Sequence, residues 1–112
     1  MRICVTAKEA NADAIVEERF GRSPYFMIYD TETAAWTPVS NPVARQNGGV
    51  GPRAVQLLAG ERVDAVLTGN VGGNARAALE EAGIDIYLVR QPGITVEAAY
   101  GQYREGKLLP FV

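Results

Sequence analysis

The apolar residues of this chain recur with two different spacings, one typical of strands and the other typical of helices. Short apolar runs rich in β-branched and aromatic residues predict five strands, over residues 1–7, 25–30, 35–39, 63–68 and 84–89. Apolar positions three and four apart predict helices over 52–59 and 75–82, and a third helix along the stripe Val96, Ala99, Tyr100 and Tyr103. The predicted order is strand, strand, strand, helix, strand, helix, strand, helix.

Proline, glycine and threonine mark the ends of the predicted helices. Pro52 stands at the predicted first position of the first helix, and Gly60 follows its last residue, which is the usual asymmetry of helix ends. Gly83 and Gly106 end the second and third helices in the same way. Thr95 is the predicted N-cap of the third helix, because its hydroxyl can accept a hydrogen bond from a first-turn N–H group.

Three features outside this regular pattern also carry predictions. Residues 14–16, inside the long connection 8–24, are predicted to form a helical turn. Cys4 lies in the middle of the first strand and is expected to be a small buried hydrophobic residue. The apolar tail 107–112 is expected either to pack down on the domain or to meet a partner, and the sequence leaves both alternatives open.

The order of elements predicts the topology of the sheet. The second and third strands are separated by a short polar turn and form an antiparallel hairpin, and Pro38 places the third strand at an edge. Right-handed crossovers then put the fourth and fifth strands on the other side of the first. The prediction is a single α/β domain over 1–112, with three α/β/α layers and a five-stranded mixed sheet of order 3-2-1-4-5. The second strand is antiparallel to its neighbours, as in ribonuclease H-like topology.

Three loops are expected to converge at the carboxyl ends of the parallel strands, where open α/β sheets bind ligands. They are the end of the connection after the first strand, the glycine-rich stretch after the third, and the turn after the fourth. The predicted ligand-binding residues are Arg19, Phe20, Gly21, Arg22, Asn47, Gly48, Gly49, Gly51, Thr68, Gly69, Asn70, Gly72, Gly73 and Asn74.

The chemistry of these loops predicts an anion-binding site. Two of the loops lead into helix N-termini, where free N–H groups and the helix dipole favour negative charge. The third loop carries two guanidinium groups, Arg19 and Arg22, and no obvious carboxylate joins the predicted site. The glycines leave space for a bulky ligand, because they have no Cβ atoms.

Composition excludes several other classes of site. The formal net charge of −2 argues against a nucleic-acid partner. With no histidine and one cysteine, an intrachain disulfide, a zinc site of His and Cys, and Ser-His or Cys-His catalysis are all excluded. No apolar run reaches the roughly 18 residues of a membrane span and the N-terminus shows no signal segment, so a cytoplasmic protein with no membrane partner is expected.

The glycine-rich loops also lack the residues of the known phosphate-handling enzymes. No Walker lysine follows either loop, and neither fits the G-x-G-x-x-G dinucleotide pattern. The first strand carries no carboxylate of the kind that two-metal nucleases place at the ends of central strands. We therefore expect binding rather than catalysis, with no catalytic residues and no direct metal ligands.

Five motifs, in this order, resemble the dinitrogenase iron-molybdenum cofactor biosynthesis family. They are Glu18-Arg19-Phe20-Gly21-Arg22-Ser23-Pro24-Tyr25-Phe26, Asn41-Pro42, Gly48-Gly49-Val50-Gly51, Thr68-Gly69-Asn70-Val71-Gly72 with Asn74-Ala75, and Ala82-Gly83-Ile84 with Tyr87. That family includes cofactor carriers of nitrogenase assembly and the molybdenum-copper orange protein. The resemblance implies an α/β/α fold of ribonuclease H-like topology and non-covalent binding of an anionic metal-sulfur cluster, of the iron-molybdenum or molybdenum-copper type. The implied partners are the metallocluster or its precursor and cofactor-assembly or iron-sulfur proteins.

Three hypotheses of function follow from the sequence. The first is a binding or carrier protein for an anionic metal-sulfur cluster or molybdenum-containing cofactor, held by glycine-rich loops and arginines. The second is a regulatory or interaction domain whose loops bind phosphate, a nucleotide or a protein partner. The third, an enzyme acting on a phosphorylated metabolite, requires a base that the predicted site lacks.

Overall fold

A mixed sheet of five strands forms the centre of the structure, a computed structural model that describes residues 1–111. In chain order the elements are β1 (Arg2–Ala7), β2 (Tyr25–Asp30), β3 (Ala35–Ser40), α1 (Val50–Gly60), β4 (Ala65–Thr68), α2 (Gly73–Glu81), β5 (Asp85–Leu88) and α3 (Val96–Arg104). The order of elements is the one that the hydrophobic pattern predicts.

The predicted sheet topology is confirmed. The strand order is β3-β2-β1-β4-β5. β2 is antiparallel to both of its neighbours, whereas β1, β4 and β5 are mutually parallel. β1 is the central strand of the sheet. Its residue Cys4 lies opposite Ile28 of β2 on one side and opposite Val66 of β4 on the other. Pro38 lies in the edge strand β3, where its missing N–H group costs no ladder hydrogen bond.

Two hydrophobic cores lie on the two faces of the sheet and make the domain three-layered. Successive side chains of a strand point to opposite faces. Ile3 and Val5 accordingly pack in one core with Val96 and Ala99 of α3. Cys4, between them, packs in the other core, to which both α1 and α2 contribute. Helices α1 and α2 therefore cover one face and α3 covers the other, which gives the three α/β/α layers that the sequence predicts.

Several predicted bounds and one predicted turn differ from the structure. Helix α2 begins at Gly73 and not at residue 75, and β5 spans Asp85–Leu88 and not 84–89. Helix α1 begins at Val50, two residues before Pro52, because proline is tolerated anywhere in a first turn where its N–H group would be unpaired. Strand β4 begins at Ala65 and not at residue 63. The predicted helical turn at 14–16 is wrong: Ile15 and Val16 form isolated antiparallel bridges to Thr95 and Ala7.

The N-cap and the tail can be compared with their predictions. Thr95 is the N-cap of α3, and its hydroxyl accepts a hydrogen bond of 3.2 Å from the N–H group of Ala98. The tail packs down at its end: Pro110 bridges to Tyr87, and the Phe111 N–H group donates to the Ile86 carbonyl over 2.8 Å. Val112, the last residue of the predicted tail, lies outside the described residues.

One further finding concerns membranes. Within residues 1–111, no helix has both the length and the apolar character that crossing a bilayer requires.

The burial of Cys4 leads to a first testable prediction. Its side chain is fully buried in β1, and this burial raises the pKa of the thiol well above its usual range. Because the thiolate is the reactive form, we expect Cys4 to resist Ellman's reagent at pH 8 in the folded protein and to react stoichiometrically in urea. Labelling of the folded protein at the rate seen in urea would contradict the packing of β1.

Candidate functional site

The connection after β1 runs along the carboxyl ends of β1 and β4. The Glu17 N–H group donates to the Thr6 carbonyl over 3.1 Å, so the returning chain is fixed against the end of β1. Two residues later, Arg19 forms a parallel bridge with Asn70, and the Phe20 N–H group donates to the Asn70 carbonyl over 3.1 Å. The loop after β1 and the loop after β4 are therefore paired through their backbones.

Buried hydroxyl groups hold the same loop from beneath. The Thr6 hydroxyl donates to the Glu17 carbonyl over 2.6 Å and shares a hydrogen bond of 2.9 Å with the Thr68 hydroxyl. Further along, the Ser23 hydroxyl accepts from the Ala7 N–H group at 3.0 Å and donates to the Tyr25 carbonyl at 2.7 Å. Because buried polar groups are costly when unpaired, this satisfied network favours one loop conformation.

Three glycines allow the loops and helices to approach each other closely. A Cβ atom on Gly21 would lie 3.0 Å from a methyl group of Val50 and 3.1 Å from the Gly51 nitrogen. One on Gly51 would lie 2.8 Å from the Ala75 Cβ atom, and one on Gly69 would lie 3.0 Å from the Glu18 Cα atom. Glycine at these three positions thus brings the N-termini of α1 and α2 together beneath the loop after β1.

A cavity of about 350 Å³ opens where these segments meet. It is lined by Arg19, Phe20, Gly21, Arg22, Gly49, Val50, Gly51, Pro52, Asn70, Gly72, Gly73, Asn74 and Ala75. The lining contains no carboxylate side chain. The loop after β1, the loop before α1 and the loop before α2 each contribute, as the sequence predicts.

The two helix N-termini at the cavity have no protein cap. Neither N-cap residue, Gly49 of α1 or Gly72 of α2, supplies a side-chain hydrogen bond, and neither first turn contains an acidic residue. Helix α3, which does not line the cavity, has both a capping hydroxyl and the first-turn carboxylate Glu97. Since first-turn N–H groups have no intrahelical partner, those of α2 and those of Val50 and Gly51 in α1 remain available to a ligand, whereas Pro52 has no N–H group to offer.

The cavity glycines have different structural roles. Gly49 has φ +64°, a left-handed conformation that favours glycine. Gly72 and Gly73 have no positive φ, and a Cβ atom on either would meet no atom within 4 Å. The fold does not require glycine at these two positions. Their lack of side chains keeps the α2 side of the cavity open.

The two arginines of the cavity are engaged differently. The Arg19 side chain is 70% exposed, and the carboxylate nearest to its guanidinium is Glu17, with Oε2 3.9 Å from Nε. The Arg22 guanidinium donates through Nη1 to the carbonyl oxygens of Ala44 at 3.2 Å and Gln46 at 2.7 Å. Arg19 is thus the more accessible positive charge, whereas Arg22 also fixes a neighbouring loop.

The structure places a buried carboxylate behind the loop that sequence reasoning did not assign to the site. Glu17 is 8% exposed, and its Oε2 atom accepts a hydrogen bond of 3.2 Å from the Arg19 N–H group. It does not line the cavity. The sequence holds a signal for it, since Glu17 lies two residues before Arg19 of the Arg-Phe-Gly-Arg segment, but only the fold shows which way its side chain points.

Four of the predicted ligand-binding residues do not line the cavity, and a fifth is a core residue. Thr68 is fully buried, and Gly69 lines a second cavity of about 210 Å³ beside Glu18 and Arg90. Asn47 and Gly48 are exposed outside the lining. Phe20 is 1% exposed and packs against Phe26, with ring centroids 5.7 Å apart, so its side chain anchors the loop.

The other predicted residues are brought together at the cavity: Arg19, Gly21, Arg22, Gly49, Gly51, Asn70, Gly72, Gly73 and Asn74. Sequence reasoning missed three lining residues, Val50, Pro52 and Ala75. Each lies in the first turn or turn and a half of a helix, so counting forward from each N-cap would have found them. Among residues 1–111, no three His, Cys, Asp or Glu side chains lie close enough to hold a metal ion.

The chain is similar to several known proteins in sequence and in structure. The family model described as dinitrogenase iron-molybdenum cofactor matches residues 1–106. The apo form of the orange protein from Desulfovibrio gigas is 35% identical and superimposes with a TM-score of 0.94, over 99% of this chain and 92% of that one. A NifB-type protein from Thermotoga, solved by NMR, is also 35% identical, with a TM-score of 0.85 over 97% of this chain and 91% of that one.

Two further proteins are similar over most of their lengths. An uncharacterized protein from Methanocaldococcus jannaschii is 30% identical over 95 residues, which are 82% of this chain and 79% of that protein. A further protein, known from a crystal structure, is 22% identical in sequence and shares the fold. It superimposes with a TM-score of 0.77 over 99% of this chain and 96% of that one.

The glycine contacts predict opposite effects of two similar substitutions. Gly51→Ala places a Cβ atom 2.8 Å from that of Ala75, and such overpacking should cost about 1–3 kcal/mol of unfolding free energy. Gly73→Ala meets nothing within 4 Å in a helical first turn, so it should be neutral or add up to about 1 kcal/mol. Urea unfolding followed by circular dichroism measures both, and equal destabilisation would contradict the assigned contact.

Proposed function

The chain belongs to the dinitrogenase iron-molybdenum cofactor family, and we propose that it is a carrier that binds an anionic metal-sulfur cluster non-covalently in the cavity between its three loops. The observation that carries this proposal is the pair of uncapped helix N-termini, α1 and α2, that line one cavity with the exposed Arg19. Each terminus acts as roughly half a positive charge, and the guanidinium adds a full one. A compact anion in the cavity would be attracted by both helix N-termini and by the Arg19 guanidinium.

The donor groups suit a cluster whose metal ions already have their own ligands. The chain has no histidine, and the thiol of its one cysteine, Cys4, is fully buried in β1. The cavity instead offers backbone N–H groups and guanidinium N–H groups, which donate hydrogen bonds to anionic atoms such as sulfide. These groups would hold the cluster as cargo through its outer atoms. The family's name, and the orange and NifB-type proteins among the similar structures, support a ligand of this class.

We propose a binding role and not a catalytic one. Glu17, the buried carboxylate behind the loop, accepts a hydrogen bond from the backbone N–H group of Arg19 and does not line the cavity. A general base must reach the proton that it abstracts. The cavity lining provides arginines, asparagines and backbone groups, none of which is an effective base at neutral pH.

A second candidate function uses the same cavity. Helix N-termini bind phosphate as readily as other anions, so a regulatory domain that binds phosphate or a nucleotide is the alternative. The two candidate functions share the same binding cavity and differ in the ligand that it binds. They are separated by comparing ligands under identical conditions.

The test is an anaerobic comparison of candidate anions. The protein is incubated with tetrathiomolybdate and copper(I), with inorganic phosphate, or with ATP, and then passed through gel filtration and a thermal-shift assay. A ligand at 100 times its dissociation constant should add about 2.7 kcal/mol of stability. A coloured complex that survives gel filtration supports the carrier. Stabilisation by phosphate or ATP alone overturns it in favour of the alternative.

The exposed guanidinium of Arg19 gives a specific prediction of affinity. Arg19→Ala removes a charge-assisted contact and should weaken binding of the thiomolybdate-copper complex by about tenfold or more. Arg104→Ala, on α3 at the other face of the sheet, removes the same charge and serves as the matched control. Titration followed by visible absorbance measures both. Equal losses would mean that overall charge, and not the cavity, determines binding.

Gly73 gives a prediction that separates binding from stability. A side chain at this position would project into the open α2 side of the cavity without touching the protein. Gly73→Ala should therefore weaken cluster binding while leaving the unfolding free energy unchanged or raised. The same titration, read beside urea unfolding, measures the two effects. Unaltered affinity would show that the ligand does not reach the first turn of α2.

A further inference from the structure

Arg22 lies between the cavity and the segment 41–49, which we call the 41–49 loop. Arg22 lines the cavity, and its Nη1 atom donates to the carbonyl oxygens of Ala44 at 3.2 Å and Gln46 at 2.7 Å. Within residues 1–111, no hydrogen bond or ion pair engages its Nε or Nη2 atoms. One side of the guanidinium therefore holds the loop, and the other side is available to a ligand.

The base of the 41–49 loop is attached independently of Arg22. The Asn41 amide donates to the carbonyl oxygens of Ser23 at 2.9 Å and Gly21 at 3.3 Å, and Asn41 itself is buried. Its side-chain oxygen accepts from the Val43 N–H group at 3.3 Å. This end of the loop is fixed to the connection after β1, whether or not the cavity holds a ligand.

The tip of the loop has weaker attachments. Residues 45–48, which form the tip, are all exposed. The attachments of the tip outside the loop are the bond from Arg22 to the Gln46 carbonyl and a hydrogen bond of 2.5 Å that the Gln46 side chain accepts from Nη1 of Arg53 on α1. Arg53 does not line the cavity. Arg22 is thus the attachment of the tip that a cavity ligand would contact directly.

We propose that Arg22 is a positioning residue that couples occupancy of the cavity to the fixing of the 41–49 loop. This inference rests on the proposed anion-binding function of the cavity. The guanidinium is planar and rigid, so an anion bound to Nε and Nη2 also fixes Nη1 and its two bonds to the loop. Without the anion, only the two hydrogen bonds to the loop restrain the guanidinium, so these bonds break more readily.

The coupling gives the empty and the loaded protein different surfaces. Arg45, Gln46 and Asn47 are exposed at the tip and lie outside the cavity lining. When Arg22 is fixed by an anion, these side chains are held in one arrangement beside the cavity mouth. A protein that delivers or receives the ligand can then distinguish the two states without contacting the ligand itself.

Hydrogen exchange of the 41–49 loop tests the coupling. In the unsubstituted protein, saturation with the tetrathiomolybdate-copper complex should slow amide exchange at residues 45–48, the tip of this loop, by about tenfold, the size expected when a charge-assisted hydrogen bond is secured. Arg22→Lys keeps the charge but lacks the planar fork, so it should bind the complex and show no slowing. Arg19→Ala, loaded at a higher concentration, should show the full slowing.

Arg53→Ala is the matched control for a merely structural effect. It removes the other attachment of the tip, so it should speed basal exchange but keep the slowing on loading. Full slowing in Arg22→Lys, or none in the loaded unsubstituted protein, overturns the coupling while leaving the proposed function intact. Failure of the unsubstituted protein to bind any of the tested anions overturns both, and thermal shift on the same samples shows which has occurred.

Discussion

The close contact between the N-termini of α1 and α2, at Gly51 and Ala75, is the constraint on which the site depends. It brings together two helix ends that carry the same partial charge. Two half-charges about 5 Å apart repel each other by less than about 1 kcal/mol at an effective dielectric constant near 20. The free energy gained by burying the two hydrophobic cores is large enough to offset this repulsion. A ligand of opposite sign would be attracted by both helices, as the proposed anion-binding function requires.

The sheet topology makes this contact necessary. Because β2 forms antiparallel pairs on both sides, β3, β1, β4 and β5 all point the same way. The crossovers from β3 to β4 and from β4 to β5 both proceed in one direction across the sheet, so right-handed connections place α1 and α2 on one face with parallel axes. Their N-termini must then lie at the same edge. The connection after β1 reaches that edge too, and Thr6 and Ser23 fix it there.

The sequence was sufficient for the topology and for the convergence of the three loops at one edge of the sheet, since both depend on the period of apolar residues and on general rules of connection. It could not assign roles to individual glycines. The structure divides them into left-handed residues such as Gly49, residues required by close approach such as Gly51, and residues with open space such as Gly73. The side-chain direction of Thr68 and the bridges of residues 15–16 also depend on tertiary partners, so local pattern could not supply them.

Holding a ligand only through N–H donors has a consequence for its release. A protein-metal bond would have to break at the metal, but hydrogen bonds from first-turn N–H groups and from Arg19 can be exchanged one at a time for water or for donors of another protein. Glu17 lies close enough to attract the Arg19 guanidinium when the cavity empties, with 3.9 Å between Oε2 and Nε. Under the proposed function the protein must release its cargo as well as bind it, and this arrangement would permit both without covalent chemistry.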